Sequence, residues 1–283
     1  MRITKDLNRD IFLDTMEMCK TSPVLAGAIE KSVAGQRFIG EEDPVGIAEK
    51  RRYESGANVI VSQKRSFEAA SAYKGKRVCV LNFASPVSPG GGVKNGARAQ
   101  EESLCRCSTL YPCLSTDEML DAYYIPHNMF RNKLGNDDII YTPGVKVFKT
   151  DEDVPVTAPE EEWFDVNVIT CAAPDLYVRS QKLMIEIEPG RLMEIHEKRL
   201  RKILDVALSE KNEVLILGAF GCGAFRNPPE YVALASRHVL PEYMQSFETI
   251  EYAIAKGHSD ENFTAFYEEL IERGRLGSGS RDL

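Results

Sequence analysis

A run of glycines and a pair of glutamates lie close together in one stretch, and these residue types could hold an anion and move a proton. The glycines occupy positions 90–92, and Gln100, Glu101 and Glu102 follow. Backbone without Cβ atoms can approach a ligand closely, and the N-terminus of a helix favours negative charge. Carboxyl groups are common general acids and bases. The stretch therefore predicts an anion-binding loop beside a candidate acid–base catalyst.

A second glycine-rich loop, GAFGCGAFRN, occupies residues 218–227 and also follows an apolar run. Ligands of α/β proteins gather beyond the carboxyl ends of strands, so the two loops together could clamp a diphosphate from two sides. Neither loop is a P-loop, because Asn95 follows Lys94, and Arg226 replaces the third glycine of a dinucleotide fingerprint. The alternative, that the glycines only make tight turns, stays open at this stage.

The two glutamates lie in the first turn of a helix that is predicted to start near Ala99. Adjacent helical side chains diverge by about 100°. We therefore expect Glu101 and Glu102 to point apart, unlike the facing carboxylates of many glycosidases. A structural alternative is that both only complement the helix dipole.

Strands alternate with helices along the chain, which predicts an α/β three-layer sandwich with a mixed sheet flanked by helices. We expect a single domain over residues 1–283, with a helical N-terminal extension over 1–50 and a disordered tail over 275–283. The strands are predicted at 57–63, 76–85, 164–174, 212–217 and 247–256, with two short strands around Pro143-Gly144 in 138–150; the helices at 7–19, 66–76 (capped by Ser66, ended by Gly75), 191–211, 229–240 and 259–274; and an exposed acidic loop at 150–163.

Composition and charge exclude several classes of protein. No apolar run reaches the ~18 residues of a membrane span, and the charged N-terminal segment is unlike a signal peptide, so we expect an intracellular protein, cytoplasmic or, in a eukaryote, nucleocytoplasmic, with no membrane partner. We also expect a monomer. The net charge of −8 argues against sequence-specific binding of nucleic acid. Seven cysteines form no C-x-x-C pair, which favours reduced thiols over a metal site, and the four histidines have no partner at a telling spacing.

The motifs NFAS, PGGG and AQEESLCR, read in that order, resemble the signature of microbial-type poly(ADP-ribose) glycohydrolases, which have a macrodomain-like fold. The later segments YTPGVKVFK, VITCAAPDL and LILGAFGCGAFRNPP are also similar to that family. The resemblance extends over residues 55–255, and the first 50 residues match nothing sharply.

The resemblance implies a metal-independent enzyme that needs no cofactor and acts on ADP-ribose polymer or ADP-ribosylated protein. It would hydrolyse the O-glycosidic ribose–ribose bond from chain ends and release ADP-ribose. Glu102 would be the catalytic acid and base, which requires it to be protonated near neutral pH, and Glu101 would bind hydroxyls of the terminal ribose. The implied substrate-binding residues are Asn82, Ser85, Gly90, Gly91, Gly92, Gln100, Gly221, Cys222, Gly223, Ala224 and Phe225.

Within this resemblance, residues 90–92 would line the terminal ribose and the diphosphate, residues 221–224 would form the second diphosphate loop, and Phe225 would pack near the ribose. One position departs from the macrodomain pattern, because Ser85 stands where a second asparagine would follow Asn82.

Two other functions remain open at the level of sequence. The chain could be a non-catalytic reader that holds ADP-ribose without cleaving it, or a hydrolase of mono-ADP-ribosyl groups. The Gln100-Glu101-Glu102 triplet favours an enzyme over a reader, because a reader needs no acid at that place.

Overall fold

The computed structural model describes residues 4–46, 49–130, 132–257 and 260–274, and the tail predicted over 275–283 lies outside these ranges. Within them, seven strands form one mixed sheet in the order β1-β4-β5-β3-β8-β9-β2, and β6 and β7 pair separately. The strands are β1 (Arg37–Ile39), β2 (Asn58–Ser62), β3 (Val78–Phe83), β4 (Ile139–Val147), β5 (Phe164–Cys171), β6 (Tyr177–Val178), β7 (Leu183–Met184), β8 (Val214–Leu217) and β9 (Thr249–Ala253).

The central strands run in parallel. β3 pairs in parallel with β5 and with β8, β8 with β9, and β9 with β2, whereas β4 is antiparallel to both β5 and β1. Parallel strands need crossover connections, and helices supply most of them here. The α-helices are α1 (Lys5–Thr21), α2 (Pro23–Ala34), α3 (Ser66–Ser71), α4 (Gln100–Cys107), α5 (Leu110–Leu114), α6 (Asp117–Met119), α7 (Ile125–Phe130), α8 (Pro189–Ser209), α9 (Pro229–Val239) and α10 (Glu261–Tyr267).

β3 shows how the sheet is buried on both faces. Successive side chains of a strand point to opposite faces, and Val78 and Val80 pack with the cluster that contains α3 and α4. Cys79 and Leu81 pack on the other side with α8 and α9. This arrangement confirms the predicted three-layer α/β architecture and explains the unbroken apolar run of the strand.

The N-terminal segment is built into the sandwich. α1 packs against α4, and α2 packs against β4. The prediction of helices alone in this segment missed β1, which pairs with β4 in register from Arg37 with Tyr141 to Ile39 with Ile139. Three residues are too short for their periodicity to identify a strand from sequence.

Three local predictions were wrong. The two short strands expected around Pro143-Gly144 are one strand, β4, with a β-bulge between Thr142 and Val145. Ser66 is the first residue of α3 rather than its cap, and the helix ends at Ser71. Gly75, at φ +91°, ends the following turns.

Most of the acidic segment 150–163 is exposed, as predicted, but Asp151 is an exception. Asp151 is buried and accepts hydrogen bonds from Phe67 N (2.9 Å) and Ser103 Oγ (2.9 Å). This carboxylate therefore ties α3 to α4, and burial raises its pKa.

Candidate functional site

The first glycine loop follows β3 and leads back to the N-terminus of α4. β3 ends at Phe83 and α4 begins at Gln100, as the sequence predicts. Gly90 (φ +64°) and Gly91 (φ +56°) are both in the left-handed region, which side chains rarely adopt. A Cβ at Gly90 would lie 2.8 Å from the ring of Tyr111, so the loop also packs too closely on the core for a larger residue.

The two carboxylates at the start of α4 are buried and face this loop. Glu101 is 2% exposed, and its Oε2 accepts a hydrogen bond from Ser85 N (2.7 Å). Glu102 is 7% exposed, and its Oε1 accepts one from Gly92 N (2.8 Å). The second oxygen of Glu102 is buried and has no hydrogen-bond partner among the described residues. Because a buried polar atom usually has a partner, this oxygen is suited to a ligand.

The expectation that the two glutamates point apart was wrong. A Cβ placed on Gly91 would lie 2.7 Å from Glu102 Oε1 and 3.0 Å from Glu101 Oε2, so both carboxylates meet at this one glycine. Their helix positions do diverge, but the loop folds back over the first turn of α4 and both flexible side chains bend towards its backbone. Gly91 therefore leaves the space in which the pair comes together.

Glu101 titrates abnormally. Burial raises the pKa of its carboxyl to about 8, and the negative charge of Glu102 contributes to the rise. Hydrogen bonds from Ser85 N and Asn82 Nδ2 oppose it. The carboxyl of Glu101 therefore retains its proton close to neutral pH.

The polar residues next to the pair hold it in place. Asn82 is completely buried and donates to Glu101 Oε1 (3.3 Å) and to Thr170 Oγ1 (3.2 Å). The hydroxyl of Ser85 accepts from Val87 N and Ser88 N in its own turn. Asn82 and Ser85 both form hydrogen bonds with Glu101 in the structure. Their direct contact with a ligand stays a prediction.

Gln100 fixes α4 to the end of β3. Its Oε1 accepts from Phe83 N (2.9 Å), and its Nε2 donates to Leu81 O (2.8 Å) and Ser66 Oγ (3.0 Å). All three contacts are with protein groups, so the amide shapes the site through the backbone of β3.

The second glycine loop lies beside the first. β3 and β8 are paired neighbours, and the rings of Phe83 and Phe220 stand 5.7 Å apart at their ends. Gly221 has φ +80°, and its Cα is so crowded that a Cβ would lie 2.6 Å from Ala173. Gly223 and Ala224 are exposed at the tip of the loop.

The two loops differ in the backbone groups that they leave free. In the first loop, Gly91 N donates to Ser88 O and Gly92 N to Glu102, so these amides are engaged. Within the described residues, the amides of Gly221 and residues 223–225 make no hydrogen bond to protein. The two sides of the predicted clamp therefore differ: the first loop mainly orients the carboxylates, and the second offers its N–H groups.

The remaining predicted residues of the second loop are partly covered. Cys222 is half-buried, and burial raises the pKa of its thiol. Phe225 packs on the core, and the guanidinium of Arg179 lies 5.6 Å from its ring centroid. Arg179 also donates to Ala224 O (3.1 Å) and pairs with Asp175 (2.9 Å), so it joins the loop to the β6–β7 hairpin.

Two residues that support the second loop were missed by the sequence reasoning. Asn227 is buried and donates to Gly221 O (3.0 Å) and Pro174 O (2.7 Å). His196 Nε2 lies 3.0 Å from Asn227 Oδ1, and as the donor it fixes the orientation of the amide. Burial lowers the pKa of His196 to about 4, so the ring is neutral at pH 7. The two residues are 31 positions apart, and no sequence periodicity links positions at such a distance.

Neither a metal centre nor a membrane span is found in the described parts of the chain. No three His, Cys, Asp or Glu side chains there are grouped as metal ligands, and none of the helices there is both long and apolar enough to cross a bilayer. The seven cysteines are free thiols, and the Sγ of Cys105 packs beneath Gly90.

Comparison with known proteins gives consistent results. Residues 17–150 match the family model described as the catalytic domain of microbial-type PARG. The structure of poly(ADP-ribose) glycohydrolase from Thermomonospora curvata superposes with a TM-score of 0.80 at 28% identity, covering 93% of this chain and 98% of that one. The same enzyme bound to the inhibitor ADP-HPD superposes with a TM-score of 0.78.

The poly(ADP-ribose) glycohydrolase from Deinococcus radiodurans, in complex with ADP-ribose, is 30% identical, with a TM-score of 0.74 and coverage of 87% of this chain and 98% of that one. No curated protein sequence matches significantly. The family match begins inside α1, well before residue 55, so the similarity includes part of the N-terminal segment in which the sequence alone revealed none.

Proposed function

The chain belongs to the microbial-type poly(ADP-ribose) glycohydrolase family, and we propose that it hydrolyses the ribose–ribose O-glycosidic bond at the ends of poly(ADP-ribose) chains and releases ADP-ribose. Its substrate is the polymer, either free or attached to protein. The observation that carries this proposal is the pair of buried carboxylates at Gly91, beside two glycine loops that follow neighbouring strands.

Glu102 is the proposed catalytic acid and base. One of its oxygens is fixed by Gly92 N, and the other is buried without a partner among the described residues, so it can serve the scissile bond. Glu101 is the proposed ligand of the ribose hydroxyls, because Ser85 N and Asn82 hold it next to the same space. Burial raises the pKa of Glu101 to about 8, so this neighbour of Glu102 holds a proton near neutral pH.

The reaction balances with water as the only co-reactant. The carboxyl proton of Glu102 passes to the leaving oxygen while the C1″–O bond breaks with its electron pair, which leaves an oxocarbenium-like ribose. The carboxylate of Glu102 then takes a proton from water as the water oxygen bonds to C1″. The products are ADP-ribose and a chain shortened by one unit, and Glu102 is protonated again.

The diphosphate is assigned to the second loop. The free N–H groups of Gly221 and residues 223–225 can donate to phosphate oxygens without a cationic side chain, as backbone anion sites do. Binding there would hold the anomeric carbon against Glu102, and such positioning lowers the barrier by several kcal/mol, on the order of 7 or more in well-oriented systems.

The decisive experiment uses Glu102→Gln with automodified polymer as substrate. The amide oxygen can still accept from Gly92 N, so we expect ADP-ribose affinity by calorimetry to stay within about threefold, whereas release of ADP-ribose falls by a factor on the order of 10² or more. Mass spectrometry of the released nucleotide gives the rate. The exposed Glu161→Gln is the matched control and is expected to behave like the wild type.

Three outcomes would contradict the proposal. Unchanged turnover in Glu102→Gln would remove the mechanism. A wild-type protein that binds ADP-ribose and releases none would be a reader. Release from serine-linked mono-ADP-ribosyl peptides at the polymer rate would indicate the wider hydrolase.

A further inference from the structure

We propose that α1 is a positioning element of the site, and that Asn8 sets the geometry of the first glycine loop from outside it. Asn8 is 1% exposed, and its Nδ2 donates to Gly96 O (3.2 Å), although 88 residues separate the two. The carbonyl of Lys5, in the first turn of the same helix, lies so close to Gly96 that a Cβ there would overlap it. This inference extends the proposed function to the N-terminal segment and rests on it for its catalytic part.

The contact is linked to the carboxylates by a short series of hydrogen bonds within the loop. Gly96 N donates to Val93 O (3.0 Å), and the next amide, Ala97 N, donates to Gly92 O (3.2 Å). Gly92 is the residue whose N–H holds Glu102. A displacement of Gly96 would therefore move Gly92 through one turn of 3-10 helix, Val93–Asn95, and so change the orientation of the Glu102 carboxylate.

Two further contacts of α1 lie on the same side of the site. The ring of Phe12 meets the ring of Tyr111 edge-on, with centroids 4.9 Å apart, and Tyr111 is the ring that packs beneath Gly90. Thr15 donates to Arg106 O (2.6 Å) in the last turn of α4. α1 thus contacts the first glycine loop at Gly96, the ring of Tyr111 beneath Gly90, and the helix α4 that carries the two glutamates.

The geometry also distinguishes α1 from a general stabilising element. Its contact at Asp14, an ion pair with the buried Lys149 (2.6 Å), lies away from the loop and can be removed separately. Asn8→Ala and Asp14→Asn therefore form a matched pair on one helix: the first removes the link to Gly96, and the second weakens docking elsewhere.

We expect Asn8→Ala to lower kcat on polymer by on the order of tenfold, because misplacing a reacting group costs rate steeply. The KM and the ADP-ribose affinity should change by less than about threefold, because the amides assigned to the diphosphate are on the other loop. Hydrogen exchange of residues 88–98, read by mass spectrometry, should be faster. Asp14→Asn should leave kcat and this exchange unchanged.

A second pair keeps the test decisive if Asn8→Ala unfolds. Gly96 (φ +70°) and Gly75 (φ +91°) are both left-handed, but a Cβ at Gly75 meets nothing within 4 Å. Both alanine variants carry the same kind of backbone strain, and only Gly96→Ala should lose kcat and protection of residues 88–98.

Wild-type kcat and wild-type exchange in both folded Asn8→Ala and Gly96→Ala would overturn the inference. Equal losses in Asp14→Asn or Gly75→Ala would also overturn it, since they would show a purely structural role. If the wild type releases no ADP-ribose, the proposed function fails, and the exchange of residues 88–98 still tests the contact by itself.

Discussion

Replacing Glu101 by glutamine should change how the stability of the protein depends on pH. Burial raises the pKa of this carboxyl from 4.5 to about 8. Between those pH values the folded protein holds a proton that the unfolded chain has released. The contribution of Glu101 to stability is therefore fully present below pH 4.5 and is lost as the pH rises through 8. Glutamine does not ionise, and Glu101→Gln removes this contribution.

The size of the effect follows from the shift. One pKa unit corresponds to about 1.4 kcal/mol, so the whole range is worth about 5 kcal/mol. Between pH 6 and pH 8 the wild type should lose about 2 kcal/mol that the variant keeps. The carboxyl is buried, so screening by solvent does not reduce this figure much.

Urea unfolding at pH 6 and pH 8 measures the difference. The variant is expected to be less stable at both, because its amide nitrogen would face Asn82 Nδ2, and so the informative quantity is the change between the two pH values rather than the absolute stability. The exposed Glu161→Gln should keep the wild-type change. Equal changes in the wild type and Glu101→Gln would refute the reasoning and show that Glu101 ionises as an ordinary carboxyl.

Three other perturbations have defined outcomes. Gly91→Ala should lower kcat on the order of 100-fold, because the new Cβ would push on both carboxylates. Gly135→Ala is the control: this glycine is also left-handed (φ +69°), and the variant should lose only the ~1–2 kcal/mol of backbone strain in the free energy of urea unfolding. Because burial lowers the pKa of His196 to about 4, the unfolded chain binds this proton first as the pH falls, so between pH 7.5 and pH 5 the wild type should become about 2 kcal/mol less stable relative to His196→Gln. Arg199→Leu removes the buried one of the two cations that pair with Asp137, Arg199 at 2.9 Å and Lys198 at 3.0 Å, and should cost roughly 3 kcal/mol in urea unfolding, with part recovered when Asp137→Asn is added.

Much of the sheet could be predicted from the sequence because its central strands are buried on both faces. The apolar runs around Val78–Phe83 and Val214–Leu217 stand out for that reason, and the glycine loops follow directly from their ends. The start of α4 near Ala99 and the two glutamates in its first turn could also be predicted from the sequence. These features are local, and each leaves its trace within about ten residues.

The parts that could not be predicted depend on contacts between distant segments. The meeting of Glu101 and Glu102 at Gly91 depends on how the loop folds back, which helical spacing does not encode. The contact of Asn8 with Gly96, and that of His196 with Asn227, join residues whose types are common in ordinary helices and turns. The pairing of β1 with β4 could not be predicted either, because a strand of three residues is too short to show a periodic pattern.

The pairing of β3 with β8 has a consequence for the choice of ligand. Because hydrogen-bonded neighbours carry the two glycine loops, their spacing is set by a backbone ladder with a period of about 4.8 Å and not by a hinge between separate bodies. The strand ends from which the two loops start therefore keep a fixed separation. A ligand bound between the loops thus meets two starting points whose separation belongs to the sheet, and moving them apart would require a different strand order.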